Sequence, residues 1–256
     1  MLELVELAVA GRLAPITTRL TQPALVALLG ANGSGKSSLL LALANLLPAS
    51  GAVYLQGQPL LQMEMSVAAQ WRAMLPQRQP YLMPMACHHV LQLGQSMLCA
   101  PAECLQHAMQ EVVTRLELEP LLVRDFSQLS GGEQQRVLLG KTLLQVWPSC
   151  NPQARLLLLD EPLAGLDWHH QVALLELLKQ LVSQGILVLF SVHDFNLALE
   201  WADELLCLRQ GKLHAYGQPT LLNEALLEEL YRVRVIRLER DGRCFFLPSG
   251  NGPSRG

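Results

Sequence analysis

The stretch Gly30-Ala31-Asn32-Gly33-Ser34-Gly35-Lys36-Ser37-Ser38 fits the pattern G-x-x-x-x-G-K-[S/T]. Its glycines let backbone N–H groups converge on an anion with no side chain in the way. The residues from Lys36 to Leu47 are good helix formers stopped by Pro48, so the positive end of a helix faces the same anion. The chemistry is the holding of a triphosphate. Residues 30–38 form the cradle, Lys36 reaches the outer phosphates, and Ser37 offers its hydroxyl to Mg2+. Many unrelated activities use such a cradle, so it does not say what hydrolysis drives.

A second group is Leu156–Leu159 followed by Asp160 and Glu161, an apolar strand ending in two acids. Beside a bound triphosphate, Asp160 would hold Mg2+ through water and Glu161 would act as general base on the attacking water. Taken alone, the pair reads equally well as a solvated turn. A third group is Leu129-Ser130-Gly131-Gly132-Glu133-Gln134, where two glycines open a helix after a serine. That is a second anion site of helix-terminus type, although Ser130 is also an ordinary helix N-cap residue. One chain with two phosphate half-sites points to a head-to-tail dimer, in which each nucleotide lies between one chain's lysine loop and the other's Ser130–Gly132.

With these residues in order, the chain resembles the ABC ATPase family. Leu129–Arg136 (LSGGEQQR) is similar to its signature. Gln77 falls at the family's glutamine loop, Ala164-Gly165-Leu166-Asp167 at its D-loop and His193 at its switch histidine, and the likeness runs from Leu2 to Tyr216. As a lone residue His193 would read as a polar strand end. The resemblance implies ATP as ligand with Mg2+, Gln77 sensing the metal and water, His193 contacting the γ-phosphate, and Asp167 crossing a homodimer. It also implies permease subunits docking on Gln77–His89, with Tyr81, Met83 and Met85 as contacts, and an indirect substrate-binding protein. The expected location is the cytoplasmic face of the inner membrane. Through Gly11-Arg12-Leu13-Ala14-Pro15-Ile16, Leu144-Gln145-Val146, the run from Asn151 to Pro162 and the short C-terminal hairpin, the chain resembles the cobalamin importer branch of the family, with iron-siderophore and haem importers in the same group. A soluble, non-transport ABC ATPase is the reading of another class. Exporters usually fuse membrane span and cassette, so import is favoured.

The chain departs from the family where adenine normally stacks on an aromatic residue ahead of the phosphate loop. The first aromatic here is Tyr54, so Arg12 is the candidate to cover the base with its guanidinium plane.

The elements that must position these residues alternate strand and helix, interrupted by a helical block. Strands are expected at residues 25–29, 51–55, 72–75, 156–159 and 186–191. Helices are expected at 87–97, 101–116, 132–146, 168–183, 196–202 and 221–231. Hairpins are expected around Gln210-Gly211-Lys212 and Arg240-Asp241-Gly242-Arg243. The expected fold class is α/β: a P-loop NTPase core of ABC ATPase type with an antiparallel β portion and an inserted helical subdomain. Residues 1–248 would form one domain, residues 80–145 the helical insertion, and 249–256 a disordered tail. Met97 and Met109 are expected in the core.

Of the 256 residues half are hydrophobic and 16% are charged, and the net charge is −3. No basic stripe marks a nucleic-acid face, so no nucleic-acid partner is expected. No apolar run reaches the roughly 18 residues of a membrane span, and acids stand where a signal peptide carries bases, so the chain is expected to stay inside the cell. Six scattered cysteines form no C-x-x-C pair and read as reduced thiols. The pairs His88-His89 and His169-His170 have no acid or cysteine cluster beside them in sequence and are read as solvated helix ends.

Overall fold

In a computed structural model, which describes residues 2–77, 84–240 and 242–249, the chain opens with two antiparallel strands, β1 (Leu2–Val9) and β2 (Leu13–Leu20). The sequence reading missed both. A bulge explains this: Glu6 has φ 51° and the pairing register shifts between Leu4 and Leu7, which breaks the two-residue alternation.

Strand β3 (Leu25–Leu29) leads through the glycine loop into α1 (Lys36–Leu43). That helix stops four residues before the expected Leu47. Asn45 adopts a left-handed φ of 54°, and Leu46 N–H donates to the Leu41 carbonyl at 2.9 Å, closing the helix end. The buried Arg72 guanidinium then donates to the carbonyl oxygens of Leu43 (3.2 Å) and Ala44. Burial lowers the pKa of Arg72 to about 10.

The chain continues through β4 (Ser50–Leu55), β5 (Gln58–Pro59), α2 (Met65–Trp71) and β6 (Arg72–Leu75). Three helices then intervene: α3 (Cys87–Leu93), α4 (Ala102–Arg115) and α5 (Gly131–Gln145). Helix α3 ends at Leu93 rather than Met97, so Met97 is 55% exposed and not in the core, whereas Met109 packs against it. Gly94 is needed there because a Cβ would lie 2.2 Å from the Lys141 carbonyl oxygen of α5.

Strand β7 (Leu156–Leu159), α6 (Trp168–Ser183), β8 (Leu187–Ser191) and α7 (Phe195–Trp201) restore the alternation. The hairpin β9 (Glu204–Arg209) and β10 (Lys212–Gly217) turns at Gln210 and Gly211, both with positive φ. Helix α8 (Glu224–Tyr231) and the ribbon β11 (Val235–Arg240) and β12 (Arg243–Pro248) follow. Ser249, expected as the first residue of the tail, instead donates its N–H to the Arg234 carbonyl oxygen at 2.8 Å, and residues 250–256 lie outside the described residues.

Among the described residues the strands form a sheet ordered β2-β1-β4-β5, a six-stranded sheet ordered β10-β9-β3-β8-β7-β6, and the β11-β12 ribbon. In the six-stranded sheet β9, β3, β8, β7 and β6 run parallel, and β10 pairs antiparallel at the edge. Its inner parallel strands β3, β7 and β8 are covered on both faces. Leu25, Ala27 and Leu29 enter one core with α3, α4, α5 and α6, while Val26 and Leu28 enter the other with α1 and the antiparallel sheet. This double burial is why these strands read as unbroken apolar runs. Helices α3–α5 occupy the connection from β6 to its parallel neighbour β7. Among the described residues no helix is long and apolar enough to cross a membrane.

Candidate active site

The carboxyl ends of β3, β7 and β8 meet at one open cleft of about 670 Å³. Residues 32–38 line it, and other segments bring in Arg12, Gln77, Glu161 and His193. Gly30, Ala31 and Asp160 do not line it. At Gly30, φ is 143° and a Cβ would come within 2.2 Å of the Leu208 carbonyl oxygen, so only glycine fits. Lys36 is 7% exposed, and its Nζ donates to the carbonyl oxygens of Gly30 (2.6 Å) and Ala31 (3.3 Å). Burial lowers its pKa, opposed by the charges of Glu161 and Asp160. The Ser34 hydroxyl is buried with no hydrogen-bond partner. A cationic, glycine-walled loop with an orphaned hydroxyl fits a polyphosphate occupant.

Asp160 is 3% exposed, and its carboxylate accepts a 2.7 Å hydrogen bond from the Ser191 hydroxyl. The same Ser191 oxygen accepts the backbone N–H of Glu161 at 2.8 Å. Glu161 has φ 51°, a strained conformation for a side-chain-bearing residue, which turns its carboxylate out of the strand and into the cleft. There its Oε1 lies 2.9 Å from His193 Nε2. An ionised carboxylate only accepts, so Nε2 carries the proton.

Arg12 ends the turn between β1 and β2, with its N–H bonded to the Val9 carbonyl. Gly211 fastens this turn to the cleft. It donates to the Ser34 carbonyl at 2.9 Å and accepts from the Ala14 N–H at 2.7 Å. A Cβ at Gly211 would strike the Arg12 carbonyl oxygen at 2.7 Å.

Ser130, Gly131, Gly132 and Asp167 do not line this cleft. Ser130 is the N-cap of α5 in a reciprocal capping box: its hydroxyl accepts the Glu133 N–H at 3.4 Å, and the Glu133 carboxylate accepts the Ser130 N–H at 2.8 Å. The Ser130 N–H holds the Glu133 carboxyl below the usual carboxylate range. The two glycines differ. A Cβ on Gly131 would meet nothing within 4 Å, whereas one on Gly132 would lie 2.5 Å from the Gly165 carbonyl oxygen. Gly132 therefore packs closely against the loop before Asp167, while the space beside the Gly131 Cα is open. Asp167 is the N-cap of α6 and accepts the His170 N–H at 2.9 Å.

A family profile described as ABC transporter matches residues 13–164. The chain is 40% identical over 234 residues to a vitamin B12 import ATP-binding protein of Yersinia pseudotuberculosis, spanning 91% of this chain and 92% of the relative. The chain belongs to the ABC transporter family. It is also 36% identical over 236 residues to a hemin import ATP-binding protein of Bartonella henselae, spanning 90% of this chain and 89% of the relative. It shares the fold of a dimeric bacterial ABC transporter cassette, with a TM-score of 0.73 at 21% identity over 86% of this chain and 99% of that one. The α/β architecture is thus that of an ABC ATPase, and the chain is an ATPase that binds ATP.

Two site residues of this ABC ATPase escaped the sequence reading. Ser191 is 1% exposed and ties both acids together; its signal was a lone polar residue closing an apolar strand two places before His193. Tyr231 accepts the Gly30 N–H at 3.3 Å across 201 positions, and burial pushes its hydroxyl up to about 12. No local pattern marked it. Of the docking residues, Met85 is half-buried against the core and its carbonyl accepts the Phe126 N–H at 2.8 Å, while Tyr81 and Met83 lie outside the described residues.

Replacing Ser191 with alanine leaves Asp160 and the Glu161 N–H without their shared partner. The expected result is a loss of about 1–3 kcal/mol of stability and, with Asp160 in the metal-holding role expected of it, a loss of about 10–100-fold in turnover. Turnover of Ser191→Ala should need more Mg2+, and Ser191→Thr should recover it. An unchanged Mg2+ dependence in Ser191→Ala would remove the positioning role.

Proposed function

We propose that this ATPase works as a homodimer at the cytoplasmic face of an inner membrane and powers uptake of cobalamin through membrane permease subunits. The observation that carries the reading is the 40% identity, over nine-tenths of both chains, to a vitamin B12 import ATP-binding protein. The haem importer is the second reading, favoured by the Bartonella relative. A binding-protein partner would deliver the cargo. The permease would dock on the segment Gln77–His89.

In this reading residues 30–38 wrap the phosphates of ATP, and Lys36 gives up its bonds to the Gly30 and Ala31 carbonyls for the β- and γ-phosphate oxygens. The donor set of Ser37, Asp160 and Gln77 is all oxygen, which suits Mg2+. When bound, the ion would neutralise phosphate charge. Among the described residues no three His, Cys, Asp or Glu side chains cluster into a metal cage, as fits an ion held largely by the phosphates themselves. Glu161 takes the proton from the attacking water, and His193 holds the Glu161 carboxylate in place and reaches the γ-phosphate. Ser130, Gly131, Gly132 and Asp167 act on the partner chain's nucleotide.

Arg12 covers the adenine. Arg12→Ala should weaken ATP binding about 2–5-fold, the scale of an exposed guanidinium–π contact. An unchanged nucleotide affinity would dismiss the contact. A single guanidinium face also reads the bases poorly, so ATP and GTP should bind with similar affinity.

The test of the transport reading is reconstitution of the chain with its permease in vesicles. Cobalamin, delivered by the binding protein, should stimulate ATP hydrolysis. Stimulation by haem or a ferric siderophore but not by cobalamin would overturn the cargo assignment.

A further inference from the structure

All six cysteines are free thiols, and two of them face each other. Cys104 Sγ lies 2.8 Å from Cys150 Sγ across 46 positions of chain. A disulfide spans about 2.05 Å, so the sulfurs need to close by less than about 1 Å. Cys104 is half-exposed in the first turn of α4 and donates to the Ser149 carbonyl oxygen at 3.2 Å. Cys150 is 5% exposed, in the link where the chain leaves α5 for β7. The next residue, Asn151, fixes that link: its Nδ2 donates to the carbonyl oxygens of Gln145 at the end of α5 (2.7 Å) and of Gln70 in α2 (2.9 Å). The thiol pair therefore bridges the helical insertion and the hinge through which it rejoins the sheet.

We propose that Cys104 and Cys150 are a modification site at which a hydroperoxide closes a reversible intramolecular disulfide that locks α4 to this hinge. The Cys104 thiolate attacks one peroxide oxygen. The O–O bond breaks, the alcohol or water leaves with a proton, and Cys104 becomes a sulfenic acid. The Cys150 sulfur then attacks Cys104 Sγ, the S–S bond forms, the S–O bond breaks, and water leaves carrying the Cys150 proton. Two thiols are oxidised and one peroxide is reduced. Burial pushes the Cys150 thiol up to about 11, so it stays protonated while the more accessible, half-exposed Cys104 reacts first. A thiol reductant reverses the bond by exchange. The lock slows ATP turnover because α5, capped by Ser130, can no longer shift against the sheet whose strand β3 leads into the Lys36 loop; this consequence rests on the proposed function, whereas the bond itself does not.

The test treats the reduced, full-length chain with hydrogen peroxide, unfolds it, alkylates the remaining thiols and maps the peptides by mass. The alkylated thiols should fall from six to four. A linked peptide containing Cys104 and Cys150 should appear and vanish with dithiothreitol, and turnover should fall in step with the linked fraction. Cys104→Ser, Cys150→Ser and Cys150→Ala should each lack the linked peptide and keep their turnover in peroxide. A Cys104 sulfinic acid beside an alkylated Cys150, or a bond to another cysteine, would overturn the site. A linked chain with undiminished turnover would overturn the lock. If the untreated chain shows no turnover at all, the transport reading fails, and the peptide masses still decide the bond.

Discussion

Glu161→Gln lowers ATP turnover by about 10²–10⁴-fold, the usual contribution of a general base, and leaves a chain that holds ATP. The amide has the shape of the carboxylate and keeps an oxygen to accept from His193 Nε2, 2.9 Å away in the native site. It also keeps the strained backbone at φ 51° and the N–H bond to Ser191, since neither depends on charge. Only the capacity to take a proton from water is lost. Unhydrolysed ATP should then hold two chains together, visible as a nucleotide-dependent dimer by size-exclusion chromatography with light scattering. Single-turnover kinetics supply the decisive measurement: hydrolysis at the native rate would remove Glu161 as the base. A variant that lost ATP binding as well would show that Glu161 serves to hold the loop around Lys36 instead.

Ser130→Arg has an effect of similar size by a different route. Hydrolysis should fall to background, while an isolated chain binds ATP within about 2-fold of the native affinity, since Ser130 lies outside its own phosphate cleft. The arginine would fill the open approach beside Gly131, where a Cβ meets nothing within 4 Å. Part of any change belongs to the helix cap, because the Ser130 hydroxyl accepts the Glu133 N–H. Losing a cap costs about 1 kcal/mol. Ser130→Ala removes the cap without the bulk, so its thermal midpoint isolates that term. Weakened ATP binding by the monomeric Ser130→Arg chain would sink the idea that each nucleotide is shared between two chains.

Much of this site was legible because backbone requirements leave a local trace. A loop that must take positive φ and admit anions needs glycine, and strands buried on both faces must be apolar throughout, as in Leu25–Leu29 and Leu156–Leu159. The functional acids sit at the ends of such strands and so stood out. What stayed hidden depends on residues far apart in sequence. The carbonyl oxygens left free at the end of α1 are met by Arg72, 29 positions after Leu43. Ser191 matters because β8 lies beside β7, which no local pattern states. Sequence offered an anion cradle as the reason for Gly132, and could not show that a side chain there would also strike the Gly165 carbonyl oxygen. Strand β1 carried the right residues, but the bulge at Glu6 shifted their phase.

The place of β3 in the sheet also governs how the enzyme comes into being. The strand that carries the phosphate loop is flanked by β8 and β9, and the loop's first N–H is met by Tyr231. A chain growing on the ribosome thus makes its ATP cradle early and completes it last. Until the residues of β8 emerge, and then those of β9, Leu25–Leu29 is an apolar strand lacking its partners on both edges, the kind of segment that is prone to non-native association. Unfinished chains, released by truncation or stalling, would lack an assembled nucleotide site and so could not spend cellular ATP.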